Sequence, residues 1–529
     1  MDKLLVVGST SSSSIGSTST AGQLVDTDID HASCIGCGSS VISAESSSLR
    51  SFFTNLQPPA HPLPVLYHQD FRRHITQLTG TFEVHQEGPE RVHSIFVKLM
   101  EEAVKGKFVE MLMYDNDIPL ATKEDLMQVH TKGYVDFLIN LCARYEAFVG
   151  GTYDDEVMRF SPIVVSRLAS EEEKGSYFAA ERHLTSATRF SNGSYAAAMR
   201  AAGSVKRAVD IVMGTESPQK RAFCLVRPPG HHAGPEGYDP VAGGCGFCII
   251  NNVMVGAAHA RAIKPNCRVA IVDIDVHHGN GTQMIIERTY KGEPVLYCSL
   301  HLLDKTPGDP DQDFFPGTGE EQDDEQFLNV PITPLWKKNS EFPDKSVIPI
   351  RPVPVPSSTP PIIPAVASFS CPQSDLGSKR KSPGKPGASS KKPRVSNSDS
   401  PAFNWKPLPR PVPQSGGNSG RVAWRRAMEQ RVIPKLQSFK ADILFISAGF
   451  DGAFEDEGCS QDGMSGLDLT DADFAWATKL MAGSGGAKTV VSVLEGGYGR
   501  WCGFQDRYDV TPLVTCCLAH IASLVENDK

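Results

Sequence analysis

"VDIDVHHGNG", residues 272–281, follows a run of apolar residues and reads as a core strand, yet within it stand Asp273, Asp275, His277, His278 and Asn280. Such groups are costly to bury unless they pair with one another or hold a metal. Asp273, Asp275 and His277 recur at period two, so in an extended segment they face one way. One carboxylate and one imidazole from that row, with a third ligand from another strand end, would make an open metal site. Asp451, in "SAGFDG" (447–452), is the natural third. Two carboxylates and a histidine with a vacant position suit a catalytic Zn²⁺, which renders water far more acidic. The plainer alternative for the row is a buried hydrogen-bond network.

Working outward, "AFCLV" (222–226), "RVAIVDI" (268–274), "PVLYCSL" (294–300), "DILFIS" (442–447) and "TVVSVL" (489–494) read as buried strands. "SYAAAMRAAGSVKRAVDIV" (194–212), "NNVMVGAAHARAI" (251–263) and "WRRAMEQRVIPKLQSF" (424–439) read as helices. Continuous apolar strands between helices predict an α/β fold, one doubly wound domain with a central parallel sheet covered on both faces. Each of these strands runs into polar or glycine-rich sequence: "RPPGHHAGP", "DIDVHHGNG", "SLH", "AGFDG" and "EGGYG". Open α/β sheets bind ligands outside the carboxyl ends of their strands, and five such ends are hard to explain by packing alone.

His231 and His232 follow the rigid turn "RPPG". Neighbouring histidines point apart, so each can have its own partner, and Asp273 and Asn280 are available to orient their far ring nitrogens. An aspartate partner favours imidazolium and an amide does not, which would leave one electrostatic histidine and one base near neutral pH. Tyr498, after "LEGG", could donate a hydrogen bond to a carbonyl oxygen that becomes an oxyanion; a core tyrosine beside a turn is the plainer alternative. "GCGFCIIN" offers Phe247 next to Gly246, and "DFFPGTG" offers Phe315, as walls of a narrow slot or as ordinary core aromatics.

The chain has 529 residues with 40% apolar and 21% charged, enough for a sizeable core. Its net charge of -9 argues against a basic nucleic-acid binder, so no sequence-specific nucleic-acid contact is expected. No apolar run is long enough to span a membrane. Thirteen cysteines in this length predict reduced thiols rather than a disulfide framework. Cys34 and Cys37 form a lone CxxC in a Ser/Thr/Gly-rich start, residues 1–60, that reads as a disordered tail. Lacking arginine before Arg50 and carrying Asp26, Asp28 and Asp30, that start is not expected to be a transit peptide.

Residues 335–420 hold 17 of the 38 prolines and 13 Lys+Arg against 4 Asp+Glu. They read as a disordered, basic, Pro-rich insert within one folded body at 61–527. Inside it "KRKSPGKPGASSKKPR" (379–394) places two basic clusters either side of a polar spacer. This resembles a bipartite signal for a nuclear import receptor; a solubilising loop is the alternative. Its PxxP-type stretches could also dock SH3-like modules.

Together "VHTKGYVDFL" (129–138), "RPPGHHA", "GFCIINN", "VDIDVHHGNGTQ", "SLH", "FFPGTG", "SAGFDG" and "LEGGYG" resemble the zinc-dependent histone deacetylase family, of the arginase–deacetylase fold, over about 65–330 and 421–505. The resemblance implies Asp275, His277 and Asp451 as zinc ligands, and His231 and His232 as the paired histidines with Asp273 and Asn280 as partners. It implies Tyr498 as the carbonyl-polarising phenol, and Gly246, Phe247 and Phe315 as the acetyl-lysine tunnel. Ser299, with the backbone of Leu300, Asp273, Asp275 and His277, matches a structural site for a monovalent cation, K⁺. Asn280 in place of aspartate, and "EGGY", look like the class II branch. The expected substrates are acetylated histone tails or other acetylated proteins, in the nucleus or shuttling with the cytoplasm, with a corepressor complex as a further partner.

The chain departs from the family pattern in its insert and in the long acidic segment after Asp451. There Met464 falls where some relatives carry a specificity gatekeeper, and methionine argues against acetylated polyamines. Asp154 or Asp155 is the candidate for clamping the substrate backbone. The rival readings are a two-manganese ureohydrolase-like enzyme, a small-molecule or polyamine deacetylase, and a scaffold acting through the insert.

Overall fold

The computed structural model describes residues 51–337 and 419–526, apart from 78–83, 150–156, 161–186, 216, 240–241, 243, 307–312, 462, 485–486, 488 and 504–506. The tail before residue 51, the import-like clusters at 379–394, and Asp154 and Asp155 lie outside the described residues. Among the described residues no helix is long and apolar enough to cross a membrane.

Nine strands form the main sheet: β1 (Leu63–Leu66), β2 (Val109–Leu112), β3 (Arg221–Cys224), β4 (Val269–Asp273), β5 (Val295–Leu302), β6 (Gln322–Asp323), β7 (Phe327–Ile332), β8 (Ile443–Ala448) and β9 (Thr489–Leu494). Their order is β2-β1-β3-β9-β8-β4-β5-β7-β6. Every pairing is parallel except β6 with β7. The central strands are buried along their whole length. Successive side chains point to opposite faces, so both faces must be covered.

The main helices are α1 (Glu90–Leu99), α2 (Lys132–Val149), α3 (Ser194–Met213), α4 (Asn252–Ile263), α5 (Asn280–Thr289), α6 (Gly420–Ala427), α7 (Ile433–Phe439), α8 (Asp471–Ser484) and α9 (Thr511–Glu526). Helices α3 and α4 pack on each other and on the sheet, as α8 and α9 pack together. Asn251 caps α4, its side chain accepting the Met254 N–H. The single helix predicted over 424–439 is instead α6 and α7 joined by a π-turn at Met428–Val432. Pro434, at the start of α7, has no N–H to give to a regular ladder there.

The two described edges of the insert meet. Thr333 and Ser419 form a bridge, and Gly420 N donates to Thr333 O at 3.3 Å. The chain therefore leaves and re-enters the body at one place.

Four buried histidines make the fold sensitive to acid. His74, His130, His301 and His520 are each no more than 3% exposed. Their nitrogens meet Ser194 Oγ, Gly234 O, Gly319 O and the hydroxyls of Thr478 and Ser492. Burial is the main cause that lowers the first three to about 4 and His520 to about 3. These folded values lie below the unfolded one, so the stabilisation is present above about pH 6.5 and is lost as pH falls toward 4. Each histidine should contribute a slope of about 1.4 kcal/mol per pH unit within that window. Urea midpoints measured from pH 7 to 4.5 should fall steadily; a flat profile would contradict this.

Candidate active site

All parallel strands end on one edge, and β4 ends at Asp273, earlier than its apolar pattern suggests. Asp275 and His277 lie in the bend beyond it rather than on an extended row. They still converge because the bend is held by hydrogen bonds. Ile274 N donates to Ser447 O at 3.0 Å. Asp275 Oδ1 accepts His277 N at 2.9 Å, and Asp275 Oδ2 accepts Gly496 N at 2.9 Å, from the end of β9. Asp451, beyond β8, accepts Val276 N at 2.8 Å.

His277 Nδ1 consequently lies 3.0 Å from both Asp275 Oδ1 and Asp451 Oδ2. Burial alone would lower His277, but its bonds to Asp275 and Asp451 outweigh that and raise it to about 9. Burial, then the charge of Asp275, raises Asp451 to about 6. Two wholly buried carboxylates thus call for a positive charge at this point. One ligand atom from each of the three residues lies within 4.8 Å of the others, a donor set that fits a divalent cation. Backbone crowds the cluster from two sides. A Cβ on Gly449 would stand 2.0 Å from Asp275 Oδ2, and one on Gly496 would stand 2.4 Å from Asp451 Oδ2.

The paired histidines have unlike partners. His231 Nδ1 meets Asp273 Oδ2 at 3.0 Å, and that oxygen also accepts the Tyr297 hydroxyl at 3.0 Å. His232 Nδ1 meets Asn280 Oδ1 at 2.7 Å, and Asn280 Nδ2 donates to Asp239 Oδ2 at 2.6 Å. The ring centroids are 3.9 Å apart. Burial opposes charge on both rings. At His231 the charges of Asp275 and Asp273 outweigh burial and raise it to about 10. At His232 burial and the charges of His231 and His277 hold it well below its usual value. The pair thus combines one charged and one neutral imidazole at neutral pH.

Tyr498 N donates to the buried Asp456 at 2.9 Å, and Phe247 meets its ring edge-on at 5.5 Å. Burial, then the charges of Asp451 and Asp275, pushes the phenol well above its usual value, so it keeps its proton to donate. Phe315 meets His232 edge-on at 5.0 Å. Gly246 has φ +49°, and a Cβ there would strike His232 Cδ2 at 2.2 Å, so glycine is needed at this wall.

The family model for the histone deacetylase domain matches residues 85–346 and 395–503. The chain belongs to the histone deacetylase family. It is 30% identical to type-2 histone deacetylase 2 of Dictyostelium discoideum over 64% of this chain and 14% of that one. It is 35% identical to acetylpolyamine amidohydrolase of Mycoplana ramosa over 37% of this chain and 52% of that one. The solved HDA15 HD domain has the same fold, with a TM-score of 0.53, 24% identity, and coverage of 88% of this chain and 90% of that one. The chain spans only 14% and 52% of the two relatives' lengths.

In this deacetylase domain the structure gathers His231, His232, Asp273, Asp275, His277, Asn280, Asp451, Tyr498, Gly246, Phe247 and Phe315 around one point. Ser299 stands beside Asp273 in register, with Leu300 next along β5, both buried. Met464 lies on a small hairpin, paired with Gln461, and is 42% exposed.

Several supporting groups have roles that the sequence does not mark. Phe314 lies flat on His277, their planes 2° apart. Glu495 Oε2 accepts the N–H groups of Gly230 and His231, at 2.7 and 3.2 Å, and so sets the histidine turn. Glu87 binds Arg227 Nε at 2.6 Å and Arg91 Nη1 at 3.0 Å. Arg91 also donates to the carbonyls of Glu495 and Gly497 and lies 4.9 Å from the Tyr498 ring centroid. Phe314, Glu495 and Arg227 sit inside motifs already quoted, which is their only hint; Glu87 and Arg91 have none.

Proposed function

We propose that this chain is a zinc-dependent lysine deacetylase of class II type, which hydrolyses N-acetyl-lysine in histone tails and other proteins to acetate and free lysine. The observation that carries this is the Asp275, His277 and Asp451 cluster beside two histidines with unlike partners. Zinc held by these three residues would supply a Lewis acid for the substrate carbonyl and for water. His232, neutral at its outer nitrogen, takes the proton of the attacking water while the new C–O bond forms. His231, charged and held by Asp273, stabilises the negative charge that develops. The amide C–N bond then breaks, and the proton passes to the leaving lysine nitrogen. Apparent pKa values for these transfers belong to the pair. Tyr498 donates its hydroxyl hydrogen to the carbonyl oxygen as charge builds there. Phe247 and Phe315 offer apolar walls suited to the methylenes of lysine.

Tyr498→Phe should lower turnover by roughly 10²–10³-fold while zinc content stays at the wild-type level. An unchanged rate would remove Tyr498 from this role.

We further propose a structural K⁺ at Ser299, Leu300 and the backbone of Asp273, Asp275 and His277. Met464 is proposed as a rim residue, and residues 379–394 as the contact for a nuclear import receptor, with repression of transcription through a corepressor complex as the setting. Deleting 338–418 should leave deacetylation within about twofold, since Thr333 and Ser419 already meet. Nuclear accumulation should be lost. A nuclear deletion variant would oppose the import role.

The likeness to acetylpolyamine amidohydrolase favours a second reading, deacetylation of small acetylated amines. Acetate release from an acetylated histone-tail peptide, with N-acetylputrescine and a chelator control in parallel, separates the two. Chelator-sensitive release from the peptide alone supports the protein deacetylase. Release from the polyamine alone moves the substrate to small amines.

A further inference from the structure

Phe314 covers one face of His277 with ring centroids 5.1 Å apart. On its other side Phe314 meets Trp336, at 5.7 Å and 48°. Trp336 is only 7% exposed, and its Nε1 donates to Asp304 Oδ2 at 2.9 Å. The carbonyl oxygen of the same Asp304 accepts Phe314 N, also at 2.9 Å. Lys337 Nζ bonds the other carboxylate oxygen of Asp304. Asp304 therefore ties the backbone at Phe314 to the short segment Leu335–Lys337, at the edge of the insert. That segment is itself anchored. Leu335 N donates to Gly466 O at 3.0 Å, and a Cβ on Gly466 would stand 2.7 Å from the Trp336 ring.

We infer that Trp336 is a positioning residue for His277, acting through Phe314. The inference rests on reading Asp275, His277 and Asp451 as metal ligands. An imidazole binds a metal well only when its plane is held, and groups behind a ligand commonly set that orientation. Among the described residues Phe314, a half-buried ring on a loop, is the one stacked flat on His277, and Trp336 and Asp304 back it. Removing the indole would open a void behind Phe314, into which that ring can relax. His277 would then lose its flat contact although Asp275 and Asp451 remain.

The test compares wild type with Trp336→Ala, Trp336→Phe, Phe314→Ala and the double variant Trp336→Ala/Phe314→Ala, each loaded with Co²⁺ in place of zinc. Two readouts are taken besides activity: the visible absorption of bound cobalt, and the chelator concentration that strips half of it. Trp336→Ala should shift the cobalt spectrum and weaken metal retention by about tenfold, with Trp336→Phe intermediate. The double variant should be no worse than Phe314→Ala, because contacts in series do not add. Arg425→Ala is the control for a loosened insert edge. Arg425 pairs with Asp473 and lies over Trp476 at 4.0 Å, and its loss should leave the spectrum unchanged. A wild-type spectrum and retention in Trp336→Ala, or losses that multiply in the double variant, would overturn the inference. A wild-type chain that takes up no cobalt would overturn the metal reading itself, and the inference with it.

Discussion

His232→Ala is expected to lower acetate release by roughly 10²–10⁴-fold with zinc still bound, the range for loss of a positioned general base. The two histidines look alike in sequence but differ in charge. His231 faces Asp273, and His232 faces the amide of Asn280. A ring that must accept a proton has to be neutral beforehand, and burial with the neighbouring charge of His231 keeps His232 so. The carboxylates and His277 do not depend on His232 for their hydrogen bonds, so the metal content should be retained. Turnover on an acetyl-lysine peptide, measured beside elemental analysis for zinc, checks both halves. A variant with near wild-type turnover would pass the base role to His231.

The second large effect is on stability. Glu87→Ala should destabilise the fold by about 3–5 kcal/mol, the range for breaking a buried ion pair on one side. Glu87 is fully buried and is shared by Arg227, Arg91 and His74, the last at 3.4 Å. Its loss leaves two guanidinium groups buried together without their common anion. Burial alone would push the Glu87 carboxyl up, but Arg227 and its other partners outweigh that and hold it at about 2. A depressed value means the stabilisation is present above about pH 4.5 and is lost as pH falls toward 2. The denaturant midpoint of the variant at pH 7, with an unchanged slope, reports the loss. A stability within about 0.5 kcal/mol of wild type would show that the cluster is dispensable. Activity should suffer as well, because Arg91 holds the carbonyls of Glu495 and Gly497 on either side of the glycine turn before Tyr498.

Much of this was legible in the chain. The apolar strands alternate with helices, and each strand edge carries its chemistry in a short contiguous motif, so a parallel sheet places those motifs together without further information. The π-turn at Met428–Val432 was less legible, since Pro434 at the start of a helix is also tolerated in an unbroken one. The bend after Asp273 is hidden in the sequence, because period two continues through Asp275 and His277 whether or not the strand does.

By itself, then, the sequence determined the fold class, and it offered Asp275, His277 and Asp451 as candidate metal donors, Asp273 and Asn280 as partners for His231 and His232, and the phenol of Tyr498 as a candidate donor. These rest on local pattern and on residue types that are costly to bury without a partner or a metal. The tertiary structure alone decided what holds them. Glu87 reaches Arg227 across 140 positions, and Arg91 reaches Gly497 across 406. Trp336 reaches His277 through Phe314. No periodicity encodes contacts between distant segments, because they come into being only when the strands have been brought into register and the space between them is filled.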